Sequence, residues 1–378
     1  IELLVTTKGY IFAFAEIISQ DFFIDVYNVA HVNWRERLHG NEVAFLMGLM
    51  LKNKVISFDI ITKKQIKEAI KYTRLLLDEL HDTYMYDFSE AMAKHTPEQI
   101  EAMSDREKEY EFREIFGSKE MIIENTFYGD VGFYDVQPFE IAQKLYARDE
   151  DWIKSNTKFS VIKSKTIFFA LKDMFNRIHL ARSISANKQV RSLRAIDEIS
   201  FHFDLIVEAV QNIDKSIKKE DIRAFLELFS CSFGDQLETF NEPGNENIFT
   251  YKPIIKLAND IYFFPNTMTL ASAIYKSPLY WMRQDEQYVN TVNKHIGEVA
   301  EDITYSYSNN IFGASNAYTA VKIVKGKKTL TDIDVMGVVG NVVIIAQNKS
   351  KKMTASALNG DVEAIKSDFQ KAVIDPYK

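Results

Sequence analysis

The 378-residue chain holds a single cysteine, Cys231, with seven histidines and seven prolines, and it lacks any apolar run long enough to cross a bilayer. One cysteine excludes disulfides within the chain and any multi-cysteine zinc site. The histidines are scattered without a close-spaced ligand pair, so most are expected to be exposed or locally satisfied. Uninterrupted apolar stretches such as Ile11 to Ala15 and Val342 to Ala346 fall far short of a span, and no charged, apolar and small-residue leader opens the chain. A cytoplasmic protein without a membrane partner is the expectation. No fixed repeat or low-complexity tract is visible. Ile1 stands where a methionine would, and nothing obvious closes the chain after Pro376-Tyr377-Lys378, which reads as a fragment of a longer protein.

What is present supports sizeable cores: 46% of residues are apolar and 13% aromatic, enough for two or three domains. Residues 1 to 240 read as mainly helical. Thr62 to Gln65 is a capping box opening a helix with Ile66, Ile70, Leu76 and Leu80; Thr96 to Gln99, with Pro97 at the first helical position, and Ser104 to Glu107 repeat the device. Apolar periodicity continues from Pro138 through Ile141 and Leu145, and over Thr166 to Leu180, Ile196 to Ile213 and Asp221 to Phe229. The Pro243-Gly244 turn within Asn241 to Asn247 marks the expected boundary. Residues 241 to 290 are then a connector, with a small hairpin closed by Asn259-Asp260 and a helix capped by Asn266, and residues 291 to 378 form a third region. Asn33-Trp34-Arg35-Glu36-Arg37 and Tyr280-Trp281-Met282-Arg283 invite a nucleic-acid reading, but helix-surface charge beside a core aromatic is the better one. The helical region is expected to serve as a scaffold, sensor or oligomerisation surface, for copies of itself or a protein partner.

Chemistry concentrates near the end of the chain. Two runs rich in valine and isoleucine flank Gly340-Asn341, a hairpin signal because tight turns need residues that tolerate positive φ. With those two residues as the turn, paired positions sum to 681, so Asp334 lies opposite Gln347 and Asp332 opposite Lys349. Period-two alternation then puts all four on one sheet face, with Ile333, Val335, Ile344 and Ala346 on the other. Two carboxylates, an amide and an ammonium on strands otherwise built for burial suit a hard cation such as Mg2+, with Mn2+ as substitute, beside a lysine that can serve an attacking water. A second acid is expected from the helix between Asn293 and Tyr307, whose stripe of Ile296, Val299, Ala300, Ile303 and Tyr307 leaves Glu301 nearer its edge than Glu298. The alternative is that Asp332 and Asp334 make salt bridges to Lys325, Lys327 and Lys328, and that Glu301 is a solvated helix acid.

The order helix with Glu, strand, strand with Asp, strand with Gln-x-Lys, then helix resembles the core of the PD-(D/E)xK nuclease superfamily over residues 291 to 378. It is most similar to the Mrr-like branch, in which glutamine replaces the first acid of the last motif. The resemblance implies an α/β restriction-endonuclease-like domain with a mixed β-sheet flanked by helices. It implies that Glu301 and Asp334 are metal ligands, that Gln347 adds its amide oxygen and Asn348 its carbonyl, and that Lys349 serves the nucleophilic water. It also implies a magnesium-dependent endodeoxyribonuclease.

Charge agrees with a polyanionic partner. Residues 291 to 378 carry a balance of +2 within a chain of −7, leaving −9 on the rest. Lys322, Lys325, Lys327 and Lys328 flank Gly326, and Lys349, Lys351 and Lys352 follow the last strand; such runs neutralise phosphates without reading sequence. The expectation is a DNA-cleaving enzyme, with RNA left open, in a restriction or anti-phage setting by fold-level analogy. The second class is a nuclease-like module that has lost catalysis and binds nucleic acid or a protein, which the neutral Gln347 keeps in play.

Overall fold

The computed structural model describes residues 1–22, 37–116, 118–128, 136–184, 194–258, 260–349, 353–358 and 361–375. Helices of eight or more residues include α1 (Tyr10–Phe22), α2 (Gly40–Leu51), α3 (Lys63–Met92), α4 (Lys119–Tyr128), α5 (Gln137–Leu145), α6 (Glu150–Thr157), α7 (Val161–Ile184), α8 (Phe203–Ile213), α9 (Lys219–Leu228), α10 (Thr267–Gln284), α11 (Val289–Phe312) and α12 (Val362–Phe369), with a further one at Asp105–Phe116. A helical amino-terminal region thus leads into an α/β carboxy-terminal one.

Helix α2 lies at the centre of the helical layers. Every residue from Glu42 to Leu51 is buried, as expected of a helix apolar nearly all round. By contrast α3, capped by Thr62 and Gln65, runs 30 residues and buries only Thr73, Leu77 and Ala91, so it lies on the core's surface. The Thr96–Gln99 box likewise forms, and Ser104 and Glu107 exchange the two expected cap bonds. Where periodicity predicts one helix over Ile196 to Ile213, the chain interposes strand β1 (Ser200–His202). Three residues are too few to impose a period of two on an otherwise apolar sequence.

β1 joins β2 (Ser230–Cys231), β3 (Ile254–Lys256) and β4 (Ile261–Phe263) in a sheet of order β1-β4-β3-β2, with β2 parallel to β3 and the other pairs antiparallel. The β3–β4 hairpin is the predicted one, with Asp260 left-handed at φ 57° in its turn. Because β1 and β2 precede Asn241 and β3 and β4 follow it, residues 241 to 247 are a loop inside one packed unit. A continuous apolar core runs from Val5 to Val299, and the buried Asn247 amide donates to the Ala44 carbonyl at 2.7 Å. Trp281, partly buried, packs against this core, edge-on to Phe159 with ring centroids 5.9 Å apart, and Met282 is fully buried. Residues 33 to 36 of the other aromatic-basic segment lie outside the described residues.

The second sheet is an antiparallel meander of β5 (Ala317–Lys325), β6 (Lys328–Val339) and β7 (Val342–Ala346). Among the described residues it has three strands and no parallel pair, where the resemblance implies a mixed sheet in this region. Helix α11 joins the two halves. Val292, Ile296 and Val299 anchor its first turns in the main core, and its last turns pack on β5 and β6. Tyr307, placed by its spacing in the buried stripe, is 58% exposed, because the stripe rotates off the core there. Four contacts clamp the start of α11 to α6 and the residues just before it. Arg148 pairs with Glu298, Asp149 accepts bonds of 2.7 Å from both Tyr288 and His295, and the Trp152 indole donates to Asp285 at 3.0 Å.

Candidate cation site at the end of the last hairpin

The β6–β7 turn is the one its residues predict. Gly340 has φ 58°, and the pairs from Val335 with Ala346 to Val339 with Val342 all sum to 681. One step beyond the ladder, the same register sets Asp334 against Gln347. Gln347 Nε2 donates to Asp334 Oδ1 at 2.9 Å, and the Asn348 backbone N–H donates to Asp334 Oδ2 at 2.6 Å. Both carboxylate oxygens are thereby oriented, each with a lone pair to spare. The Gln347 amide oxygen is left without a hydrogen bond among the described residues, on an exposed side chain.

Ile333 and Val335 are 6% and 0% exposed, and Gly337 sits so close to Phe312 of α11 that an added Cβ would lie 2.5 Å from the ring. Helix α11 therefore covers the Ile333, Val335 and Gly337 face. By alternation Asp332, Asp334 and Gln347 point to the other face. The two faces meet where the strands end, because Asn348 turns its side chain back under the helix. The Thr304 hydroxyl lies 2.8 Å from both Asn348 Oδ1 and the Ala300 carbonyl, and Asn348 Nδ2 is buried without a partner among the described residues. One hydroxyl proton cannot serve two acceptors. The amide orientation with one hydrogen per bond has Nδ2 donating to Thr304 and Thr304 donating to Ala300, which leaves Asn348 Oδ1 as the orphan acceptor.

Glu301 lies one turn before Thr304. Partial burial raises its carboxyl above the usual glutamate range, and the charges of Asp334, Asp302, Asp332 and Glu298 raise it further, in that order. Among the described residues no cation pairs with Glu301, Asp332 or Asp334, so the salt bridges to Lys325, Lys327 and Lys328 do not form. Glu298, the second-choice ligand, is engaged elsewhere by Arg148 and by Lys294 at 3.8 Å. Lys349 is exposed just past β7 and has no acid partner among the described residues, and Asp332 lies opposite Lys322 on β5, beyond the end of the β6–β7 ladder. Lys325, Lys327 and Lys328 lie at the far end of the β5–β6 hairpin, and Lys351 and Lys352 fall outside the described residues.

Among the described residues no group of three or more His, Cys, Asp or Glu side chains is arranged to hold a metal. At this end of the hairpin the Asp334 carboxylate, the Gln347 amide and the Asn348 backbone are joined by hydrogen bonds, while Glu301 stands on α11, over the opposite face of β6, near enough for the Asp334 charge to raise its carboxyl. These groups fit an oxygen-ligated ion that keeps much of its water, and the negative charge unbalanced around Glu301 favours a cation. Sequence reasoning missed Thr304 and Asp302; Thr304 could have been found as the residue three positions after Glu301, on the same helical side.

β7 departs from the expected burial. Val342, Val343, Ile344 and Ile345 are all between 48% and 56% exposed, because α11 packs over β5 and β6 and stops short of the third strand.

His81, one of the seven scattered histidines, is neither exposed nor idle. Its Nδ1 lies 2.9 Å from both Glu124 oxygens on α4, and its Nε2 lies 3.0 Å from Glu42 on α2. Burial works against the imidazolium, but the two glutamates outweigh it and push His81 up to about 9. Burial also raises the Cys231 thiol to about 12, leaving it inert.

Comparison of the chain with models of protein families, with curated proteins and with solved structures finds no match in any of the three. No helix among the described residues is long and apolar enough to cross a membrane.

Proposed function

We propose that this protein is a magnesium-dependent nuclease that hydrolyses phosphodiester bonds of DNA, its helical region serving control or assembly. The observation that supports the reading is the Asp334 carboxylate, oriented by Gln347 and the Asn348 N–H and free of any ion pair among the described residues, with its charge raising the carboxyl of Glu301 on α11. Such a site uses two hydrogen bonds to aim an acid that no ion pair requires. Glu301, Asp334, the Gln347 amide oxygen and the Asn348 carbonyl would hold the ion. When bound it supplies a Lewis acid for a phosphoryl oxygen and lowers the pKa of a bound water. Lys349, exposed and without an ion-pair partner among the described residues, donates to the attacking water or to the oxygen on which charge develops. Gln347 keeps Asp334 in place through its Nε2 and leaves its own oxygen for the ion. A restriction or anti-phage setting is the biological context this reading favours, by analogy of fold alone.

The test is cleavage of supercoiled DNA by purified protein with Mg2+ or Mn2+. Asp334→Ala and Lys349→Ala should each lower the rate by about 100-fold or more, with circular dichroism unchanged. Equal cleavage by wild type and both variants refutes the assignment. Binding of nucleic acid with no cleavage by wild type identifies a catalytically silent module.

A further inference from the structure

Beyond Asp332, β5 and β6 leave the cover of α11 and continue as a free two-stranded ribbon. Every residue from Lys322 to Lys325 and from Lys328 to Asp332 is exposed. From Ala317 to Thr331 the ribbon carries Lys322, Lys325, Lys327 and Lys328 and no acidic residue. Among the described residues none of these lysines is in an ion pair. Lys325 and Lys328 face each other directly across the strand pair, an arrangement that costs stability when nothing neutralises it. Ile323, Val324 and Leu330 add apolar surface that no core covers, at 42%, 59% and 55% exposure. The register slips between Ile323 and Val324, so Leu330 is an extra residue on β6, a bulge that bends the ribbon and tightens its twist.

We infer that this ribbon is an arm that enters the major groove of duplex DNA. A two-stranded ribbon fits that groove, which is about 12 Å wide and about 8.5 Å deep. At roughly 3.4 Å per residue, the free stretch from Lys328 to Asp332 extends about 14 Å, long enough to reach the groove floor. The same rise puts the tip about 20 Å from Asp334, so a duplex gripped by the arm passes the acids at its base. Lysines on the ribbon neutralise flanking phosphates, and Val324 and Leu330 supply the apolar contact that thymine methyls accept. Single-stranded nucleic acid is the poorer fit. Grooves for single strands stack bases on aromatic side chains, and the segment from Lys322 to Thr331 has none.

The inference rests on the proposed function for where the duplex is presented, but its test does not. Fluorescence anisotropy is measured in EDTA, where no cleavage occurs, with a labelled duplex and with one of its strands alone, from about 50 to 200 mM salt. Wild type should bind the duplex at least tenfold more tightly than the single strand. The triple variant Lys325→Ala, Lys327→Ala, Lys328→Ala should lose at least tenfold in duplex affinity, and its log–log salt slope should shrink by about 2.7, near 0.9 for each lysine removed. The corresponding Lys→Arg triple should retain binding, and methylation of guanine N7 should weaken binding where methylation of adenine N3 does not. Equal affinity for single strand and duplex, or a triple variant with unaltered affinity and slope, overturns the inference. So does binding to an acidic protein in place of DNA. Duplex binding that depends on these lysines, in a protein that never cleaves DNA, sinks the nuclease reading and leaves the arm standing.

Discussion

Replacing Gln347 with glutamate restores a third carboxylate to the end of the hairpin, directly against the oriented Asp334. Without a divalent ion, Gln347→Glu removes the 2.9 Å donor to Asp334 Oδ1 and puts a second negative charge in its place. A hydrogen bond to a charged group contributes roughly 1.5–3 kcal/mol, and the exposure of Gln347 argues for the low end. Repulsion between two carboxylates about 4 Å apart adds about 1 kcal/mol in well-solvated surroundings. The variant should therefore be less stable than wild type by about 2–3 kcal/mol in EDTA. Saturating magnesium should reverse most of that loss, because the added acid becomes a ligand. Its affinity for the ion should rise about tenfold, equivalent to 1.4 kcal/mol. Urea melts in EDTA and in magnesium, with titration calorimetry of the ion, read both effects. Equal stability of the two proteins in EDTA, with no differential rescue by magnesium, would mean that Asp334 and Gln347 do not share an ion.

Glu298→Gln should leave ion affinity within about twofold of wild type, since Glu298 is engaged by Arg148 and Lys294, whereas Glu301→Gln should weaken it about tenfold or more; calorimetry separates the two. Gly337→Ala should cost about 1–3 kcal/mol in urea unfolding, because its methyl would meet the Phe312 ring. His81 gains its charge partners on folding, so its folded pKa of about 9 exceeds the ordinary value of 6.5. The stabilisation is full below 6.5 and is lost as pH rises through about 9. Discounted for a side chain 12% exposed, it amounts to about 2 kcal/mol. The stability difference between wild type and His81→Gln should shrink by that amount from pH 6 to pH 10, roughly the window spanning both pKa values. A constant difference would show that His81 is not charged between Glu42 and Glu124.

The hairpin was legible because its information is local. Gly340 needs a left-handed backbone, two turn residues fix the register, and alternation sorts Ile333 and Val335 from Asp334. Caps at Thr62, Thr96 and Asn266 were legible for the same reason, each being a side chain bonding to backbone within three residues. Contacts joining distant segments were not. Nothing near His81 announces Glu42 and Glu124, and nothing near Asp149 announces His295, 146 residues away. β1 and β2, at three and two residues, leave no periodic trace, so the sheet that crosses Asn241 was invisible. The exposure of β7 was hidden too, because a run of valine and isoleucine records a preference for burial and not whether α11 reaches far enough to provide it. At the site, the sequence brings Asp334 and Gln347 together but does not say that the Gln347 nitrogen is the atom facing the carboxylate.

The most direct measurement is anomalous diffraction from crystals of this protein soaked in manganese. One peak at the end of the β6–β7 hairpin, within about 2.5 Å of oxygen atoms from Glu301, Asp334 and Gln347, is the expected result. Manganese bound elsewhere, or a Glu301 carboxylate directed away from Asp334 with the ion present, would contradict the account.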